Sequence, residues 1–273
     1  MAKGANPREA VPAAPSAKSL VLGAKAFAPL RRIVKPKFYG IEHVPEGGAL
    51  LVGNHNLYAV DMIFLTAELV DRGIVVRLLA DHAAFRIPII RELLTACGVV
   101  PGSRANVREL MRRGDLIMVF PGGAREAGKR RGEQYQLIWK NRLGFAEMAI
   151  EGRYPIVPFA SIGIEDALDI VVDTDNPLMA PARKLFKKLL NFEPLPIVRG
   201  IGLTPIPRPE RLYFWFGEPI PTLQYGGVAD EGNAREVRTR TIASIEGGLN
   251  FLLDEREKDP ERSLLKRLSP WGS

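Results

Sequence analysis

The chain reads as an α/β domain with a central, largely parallel but mixed sheet flanked by helices, and three observations predict this. Short, continuous apolar runs recur at Leu50–Val52, Ile74–Leu79, Asp115–Phe120 and Tyr154–Ala160, each of strand length and each ending in a turn. Helix-length stretches separate them, and this strand–helix alternation repeats four times. Glycine and proline mark the junctions, as at Gly53, Pro101-Gly102 and Pro121-Gly122-Gly123.

Taken in order, residues 1–17 are rich in Ala and Pro and are expected to be a disordered arm. Residues 18–38 mix Leu20, Val21, Leu22, Phe27, Leu30 and Ile33 with Lys25, Arg31, Arg32, Lys35 and Lys37, a basic amphipathic segment interrupted by Pro29 and Pro36. It is too short and too charged to span a bilayer, and Lys25 breaks the apolar core a signal peptide needs. Two readings stand: a segment lying in a membrane interface, or a helix packed on the domain with its charges in water. The main domain then runs from 39 to 258.

Within that domain, Leu50–Val52 is a buried strand and Met62–Asp71 a packed helix. Ile74–Leu79 is a strand and Phe85–Ala96 a helix. GVVPGSR (98–104) is a short strand and turn, with Ser103 as N-cap of a helix reaching Arg113. Asp115–Phe120 is the next strand, a helix is expected from about Glu133 to Glu151, and Tyr154–Ala160 is a further strand. Residues 178–192 then place Leu178, Leu185, Phe186, Leu189, Leu190 and Phe192 beside Arg183, Lys184, Lys187 and Lys188, the stronger of two interfacial-helix candidates, with core packing as its alternative. Leu212–Phe216 is a strand, Asp230–Glu257 a polar helix, and 259–273 a tail.

Composition narrows the function. Of the 38 Lys and Arg behind the net charge of +7, eight fall within residues 1–40 against one acid, leaving thirty of each sign in the rest. A neutral body with a basic arm argues against a nucleic-acid-binding fold, and no nucleic-acid partner is expected. One cysteine, Cys97, excludes an internal disulfide; within LLTACGVV it reads as a buried structural thiol. Three dispersed histidines offer no metal-ligand spacing, so no metal is expected.

The chemistry concentrates in ALLVGNHNLYAVDMIFL (49–65). His55 and Asp61 sit at the mouth of a strand-to-helix junction, where open α/β sheets place their sites. A neutral imidazole takes a proton from a hydroxyl, and a carboxylate fixes its tautomer and stabilises the imidazolium. The competing reading is a surface His with an Asp suited to a helix N-terminus. Asp81-His82 is a second pair, but adjacent side chains leaving a strand point apart, which favours capping or solvation. After the strand ending at Phe120, Gly122 and Gly123 let backbone N–H groups approach an anion, with Arg125 beside them; the same residues also read as a plain turn.

Together these windows resemble the glycerolipid acyltransferases typified by lysophosphatidate acyltransferase. Asn54, His55 and Asp61 match the family's Asn-His…Asp block, and Gly98 and Arg104 its second block. Phe120, Pro121, Gly123 and Arg125 match the Phe-Pro-x-Gly-x-Arg loop, and Pro155 and Pro158 the strand with two prolines. The likeness covers roughly Phe38 to Ile220. Five residues separate His55 from Asp61 where the family usually has four, and Gly122 and Ala124 stand where it usually has Glu and Thr. Those departures, with PGGAREA and NRLGFAEMAIEGRYPIVP, are more similar to the diacylglycerol acyltransferase type-2 branch.

The resemblance implies a glycerolphosphate-acyltransferase-like fold and O-acyl transfer from acyl-CoA to a glycerolipid hydroxyl, with no further cofactor. It implies His55 as general base, Asp61 as its orienting partner, and an oxyanion held near Gly122 and Gly123. Asn54, Arg104 and Arg125 become substrate contacts, the arginines for a CoA phosphate or acceptor headgroup, with Arg125 alternatively paired to Glu126. A mono- or diacylglycerol is favoured as acceptor over lysophosphatidate. The expected setting is the cytoplasmic face of a membrane, peripheral or monotopic, with anionic lipid as partner. Two rivals share the same residues: an acyl-CoA thioesterase using the His–Asp pair on water, and a non-catalytic lipid-binding membrane adaptor.

Overall fold

A computed structural model describes residues 11–190 and 194–268. The chain enters through α1 (Ala17–Ala26) and α2 (Ala28–Val34). Strands and helices then alternate as β1 (Lys37–Tyr39), β2 (Leu50–Gly53), α3 (Asp61–Asp71), β3 (Val76–Ala80), α4 (Pro88–Ala96), β4 (Val100–Pro101), α5 (Arg104–Arg113), β5 (Leu116–Val119), α6 (Gly123–Ala127), α7 (Gly144–Gly152) and β6 (Ile156–Ile162). The short helix α8 (Ile164–Ala167) leads to an antiparallel pair, β7 (Asp169–Val172) and β8 (Ile197–Arg199), with α9 (Ala180–Leu190) between them. Strand β9 (Tyr213–Phe216), the long α10 (Glu231–Lys258) and α11 (Leu264–Leu268) complete the chain.

Seven strands form the main sheet in the order β1-β9-β6-β2-β5-β3-β4. Every pairing is parallel except β6 with β9, so the sheet is mixed and largely parallel. The apolar runs explain the middle of it: β2 and β6 are buried along their whole length, as strands covered on both faces must be. One core, with Leu50, Val107, Phe145, Ile150, Ile245 and Leu252, lies under α5, α7 and α10. The other, with Leu51, Phe64, Leu65, Met118 and Phe159, lies under α3. After β2 the chain builds β3, β4 and β5 on one side and only then crosses to β6 on the other. The carboxyl end of β2 is therefore a topological switch point, the place where such sheets open a crevice.

Local details match the expected junctions. Ser103 caps α5, its hydroxyl accepting from the Asn106 amide at 3.1 Å, and Gly114 ends that helix in the left-handed region. Gly53 closes β2 where the Phe159 ring lies 2.4 Å from the position a Cβ would take, so no other residue fits.

Two expectations are corrected. The helix expected over 133–151 is confined to Gly144–Gly152. Ahead of it, Trp139 is drawn into the interior, Glu133 is spent on Arg125, and Tyr135 and Lys140 take positive φ, which breaks any helix there. Cys97 is exposed, because it follows a helix, α4, that buries none of its residues. The 178–192 segment contains α9, over Ala180–Leu190, whereas Phe192 lies outside the described residues. Of the arm expected to be disordered, residues 1–10 lie outside the described residues. Its described part reaches the sheet: Arg77 Nη2 donates to the Pro12 carbonyl at 2.7 Å. Residues 269–273 of the tail also lie outside the described residues.

Candidate active site

The turn leaving β2 carries Asn54, His55 and Asn56, and a 3₁₀ turn (Leu57–Ala59) then leads to Asp61 at the start of α3. Tyr58 and Ala59 both adopt left-handed backbone, φ +59° and +54°. Such residues cost about 1–2 kcal/mol each, and here the Tyr58 hydroxyl is held by the Pro196 carbonyl at 2.6 Å.

Asn54 is fully buried and stitches β2 to β6: its Nδ2 donates to the Ser161 carbonyl (2.9 Å) and its Oδ1 accepts from the Ser161 amide (2.8 Å). It is thus a clip between strands, not the substrate contact the sequence suggested. The Ser161 hydroxyl donates to Asp61 Oδ2 at 2.7 Å, and Asn56 Nδ2 donates to the same oxygen at 2.7 Å. Asn56 Nδ2 also lies 2.8 Å from Ser161 Oγ. Burial pushes the Asp61 carboxyl above its ordinary range, and the bonds from Asn56 and Ser161 pull it back.

His55 is half-buried. Its Nδ1 lies 2.9 Å from the Asn56 carbonyl, and since a carbonyl only accepts, Nδ1 carries the proton and Nε2 keeps a free lone pair. His55 and Asp61 are linked through Asn56, whose carbonyl meets the ring and whose amide meets the carboxylate. The Phe120 ring packs against the imidazole with centroids 4.6 Å apart. Burial lowers the His55 pKa to about 4, a shift the Asn56 bond opposes and the Lys129 charge reinforces. The ring is neutral at physiological pH, as a general base must be.

A buried charge cluster lies around this turn. Lys129 and Glu165 pair at 2.7 Å with their side chains 1% and 2% exposed, and the second Glu165 oxygen accepts from the Tyr135 amide at 2.7 Å. Burial raises the Glu165 carboxyl and Lys129 draws it down. Glu126 Oε2 accepts from the Trp139 indole at 3.0 Å, and burial lifts that carboxyl to about 7 against the pull of Lys129. A Cβ at Gly122 would fall 1.8 Å from Glu126 Oε2, which is why glycine stands there. The Gly123 N–H is engaged by the Phe120 carbonyl at 3.0 Å.

The two arginines lie farther out. Arg125 pairs with Glu133, not with Glu126. Arg104 pairs with Glu147 and Glu151 on α7. With His82 and Arg142 it lines a cavity of about 430 Å³ whose other walls include Leu50, Leu79, Val107, Val119, Phe145 and Met148. Phe120 is a wall of that cavity as well as the packing partner of His55. Asp81 caps its own turn, Oδ1 accepting from the Ala83 amide at 2.8 Å, as its position suggested.

Four residues of this site were not singled out from sequence, Asn56, Ser161, Lys129 and Glu165, and Glu126 was named only as a partner for Arg125. Asn56 sits inside the GNHN string and was open to notice. Lys129 opens a basic run with Arg130 and Arg131, and nothing in the string separates the buried Lys129 from its less buried neighbours.

An α/β sheet with a neutral histidine at its switch point, beside an apolar cavity, is an arrangement suited to an enzyme site. A family model described as Acyltransferase matches residues 35–162. The chain is 31% identical over 252 residues to phytyl ester synthase 1, chloroplastic, of Arabidopsis thaliana, covering 84% of this chain and 36% of that protein. It is 33% identical over 223 residues to the DGAT1/2-independent enzyme synthesizing storage lipids of Mus musculus, covering 81% of this chain and 60% of that one. The 1-acyl-sn-glycerophosphate (LPA) acyltransferase structure from Thermotoga maritima superposes with a TM-score of 0.50 at 15% identity, over 86% of this chain and 78% of that one, a likeness of fold. The family match over residues 35–162 and these relatives support the glycerolipid acyltransferase superfamily. It spans about a third to three fifths of the length of these curated relatives.

Proposed function

We propose that the chain transfers a fatty acyl group from acyl-CoA to the hydroxyl of a neutral glycerolipid at a membrane surface, with His55 as general base. The observation that carries this reading is the state of His55: neutral, its Nδ1 proton committed to Asn56, its Nε2 lone pair free. In the step proposed, Nε2 takes the proton of the acceptor hydroxyl as its oxygen attacks the thioester carbon. The tetrahedral intermediate then collapses, the C–S bond breaks, and the imidazolium returns the proton to the CoA thiolate. With the Gly123 amide engaged, the Gly122 amide is the candidate oxyanion donor.

The apolar cavity behind Phe120 suits an acyl chain, and Arg104 and Arg142 at its walls suit an anionic group of the donor. The relatives' names speak of storage lipids and phytyl esters, which supports an acceptor without phosphate. Acyl-CoA as donor sets the reaction at the cytoplasmic face.

Membrane contact rests on the arm from β7 to the loop after β8. Leu178 (81% exposed), Leu185 (54%) and Leu203 (89%) stand in water there among Lys184, Lys187 and Lys188. Among the described residues no helix is long and apolar enough to cross a membrane.

The test incubates the protein with acyl-CoA and a panel of glycerides and lysolipids, read by mass spectrometry. Acylated mono- or diacylglycerol supports the proposal. Free fatty acid alone would make the protein a thioesterase, and no turnover of any kind would favour a lipid-binding adaptor.

A further inference from the structure

The distance between His55 and Asp61 in sequence leaves open how the carboxylate acts on the ring, and the hydrogen bonds answer it. Asp61 Oδ2 is occupied by Asn56 Nδ2 and Ser161 Oγ, both at 2.7 Å, while His55 Nδ1 is bound to the Asn56 carbonyl at 2.9 Å. One residue therefore touches both members of the pair, by its side chain on one side and its peptide on the other. Asn56 is itself pinned from three directions. Its Oδ1 accepts from Asn54 Nδ2 (3.2 Å), its Nδ2 reaches Ser161 Oγ (2.8 Å), and its carbonyl also accepts from the Ala59 amide (3.2 Å). It is 1% exposed, so none of these bonds is shared with bulk water.

We propose that Asn56 is the positioning residue through which Asp61 acts on His55: its buried amide, gripped by Asp61 and Ser161, fixes the peptide carbonyl that holds the Nδ1 proton. The inference rests on His55 being the base. A carboxylate acting at one remove sets geometry and tautomer, and the charge that meets the imidazolium directly is a peptide dipole. The left-handed backbone at Tyr58 and Ala59 fits this arrangement, since it turns the chain back so that the Ala59 amide meets the same carbonyl. Asn suits position 56 because it offers a donor to Asp61 and an acceptor to Asn54 at once, which neither Asp nor Leu provides.

The test reads the tautomer directly. The full chain labelled with ¹⁵N-histidine is studied by long-range ¹H–¹⁵N correlation at neutral pH, with His43 and His82 assigned by substitution. His55 is expected as a single Nδ1–H tautomer. In Asn56→Ala the two tautomers should mix and kcat should fall about 100-fold, the cost of a small misplacement, with the KM for acyl-CoA unchanged. Asp61→Asn should mix the tautomers too, and the double variant should be no slower than the slower single one. An unchanged tautomer in Asn56→Ala, or losses that multiply in the double variant, overturns the proposal. Should Asn56→Ala fail to fold, Ser161→Ala removes one of the two donors to Asp61 and should give a partial tautomer shift; no shift overturns the proposal equally. If the wild-type protein transfers no acyl group while the tautomer responds as described, the functional reading fails and the positioning role stands.

Discussion

The turn from Gly53 to Asp61 and the arm from β7 to β8 touch each other, yet they treat their side chains in opposite ways. In the turn, Asn54, Asn56 and Asp61 are at most 1% exposed, and all of their side-chain polar atoms except Asp61 Oδ1 bond to one another or to Ser161. In the arm, Val171, Leu178, Leu185, Ile197 and Leu203 are all close to half exposed or more, though apolar. The Leu57–Leu168–Val198 cluster and the Tyr58–Pro196 hydrogen bond join the two. A base needs one tautomer in one place, which closed hydrogen bonding supplies. A lipid-contacting surface needs apolar area not yet buried, which a well-packed arm would lack. On the proposed function, that difference puts the chemistry in the turn and the lipid contact in the arm.

The sharpest way to break that assignment is His55→Ala, which should cut turnover about 10²- to 10⁴-fold while the melting temperature stays near wild type. Near-normal turnover in a steady-state assay would remove the base from the turn.

Next in size is the buried pair that supports the turn. Lys129→Met leaves Glu165 uncompensated in a dry site and should destabilise the fold by about 3–5 kcal/mol, with Glu165→Gln in the same chain restoring most of the loss. Denaturant unfolding of the single and double variants measures this; additive losses would mean that the pair is not coupled.

The arm should respond differently. Leu178→Ser, Leu185→Ser and Phe186→Ser together remove side chains each worth roughly 1.5–3 kcal/mol when fully buried. Flotation with anionic vesicles should lose the protein, while its melting temperature falls little, because Leu178 and Leu185 are more than half exposed and Phe186 is 37% exposed. A variant that precipitates would place α9 in the core.

The smallest effect concerns pH. Glu126, lifted to about 7, favours its protonated form in the folded state, so its contribution is present below about pH 4.5 and is lost as pH rises through 7. His55, lowered to about 4, contributes above its ordinary value near 6.5 and loses that contribution as pH falls toward 4. Thermal melts of Glu126→Gln should therefore show a weaker fall in stability between pH 5 and 8 than wild type; equal slopes would place the titration elsewhere.

Much of the sheet was legible in the sequence because its central strands are unbroken apolar runs, and Ser103 announced its own helix. The strand-to-helix junction that carries His55 and Asp61 was legible too. The segment 128–143 was not: Tyr135, Trp139 and Lys129 are pulled inward by Glu165 and Glu126, partners distant in sequence, and periodicity carries no trace of them. The β7–β8 pair was missed too, since its strands alternate weakly and one lies beyond α9. The wiring of the pair was hidden for a related reason. Spacing places a carboxylate near an imidazole, but only coordinates show that an asparagine stands between them.

The division of labour is tested most directly by measuring acyl-CoA turnover on two acceptors, a short-chain glyceride below its aggregation limit and a long-chain glyceride in anionic vesicles. Wild type should use both. His55→Ala should use neither, and the triple serine variant should lose the vesicle substrate while turning over the soluble one at the wild-type rate. Equal loss on both acceptors in the triple variant, or retained turnover on either in His55→Ala, would contradict the account.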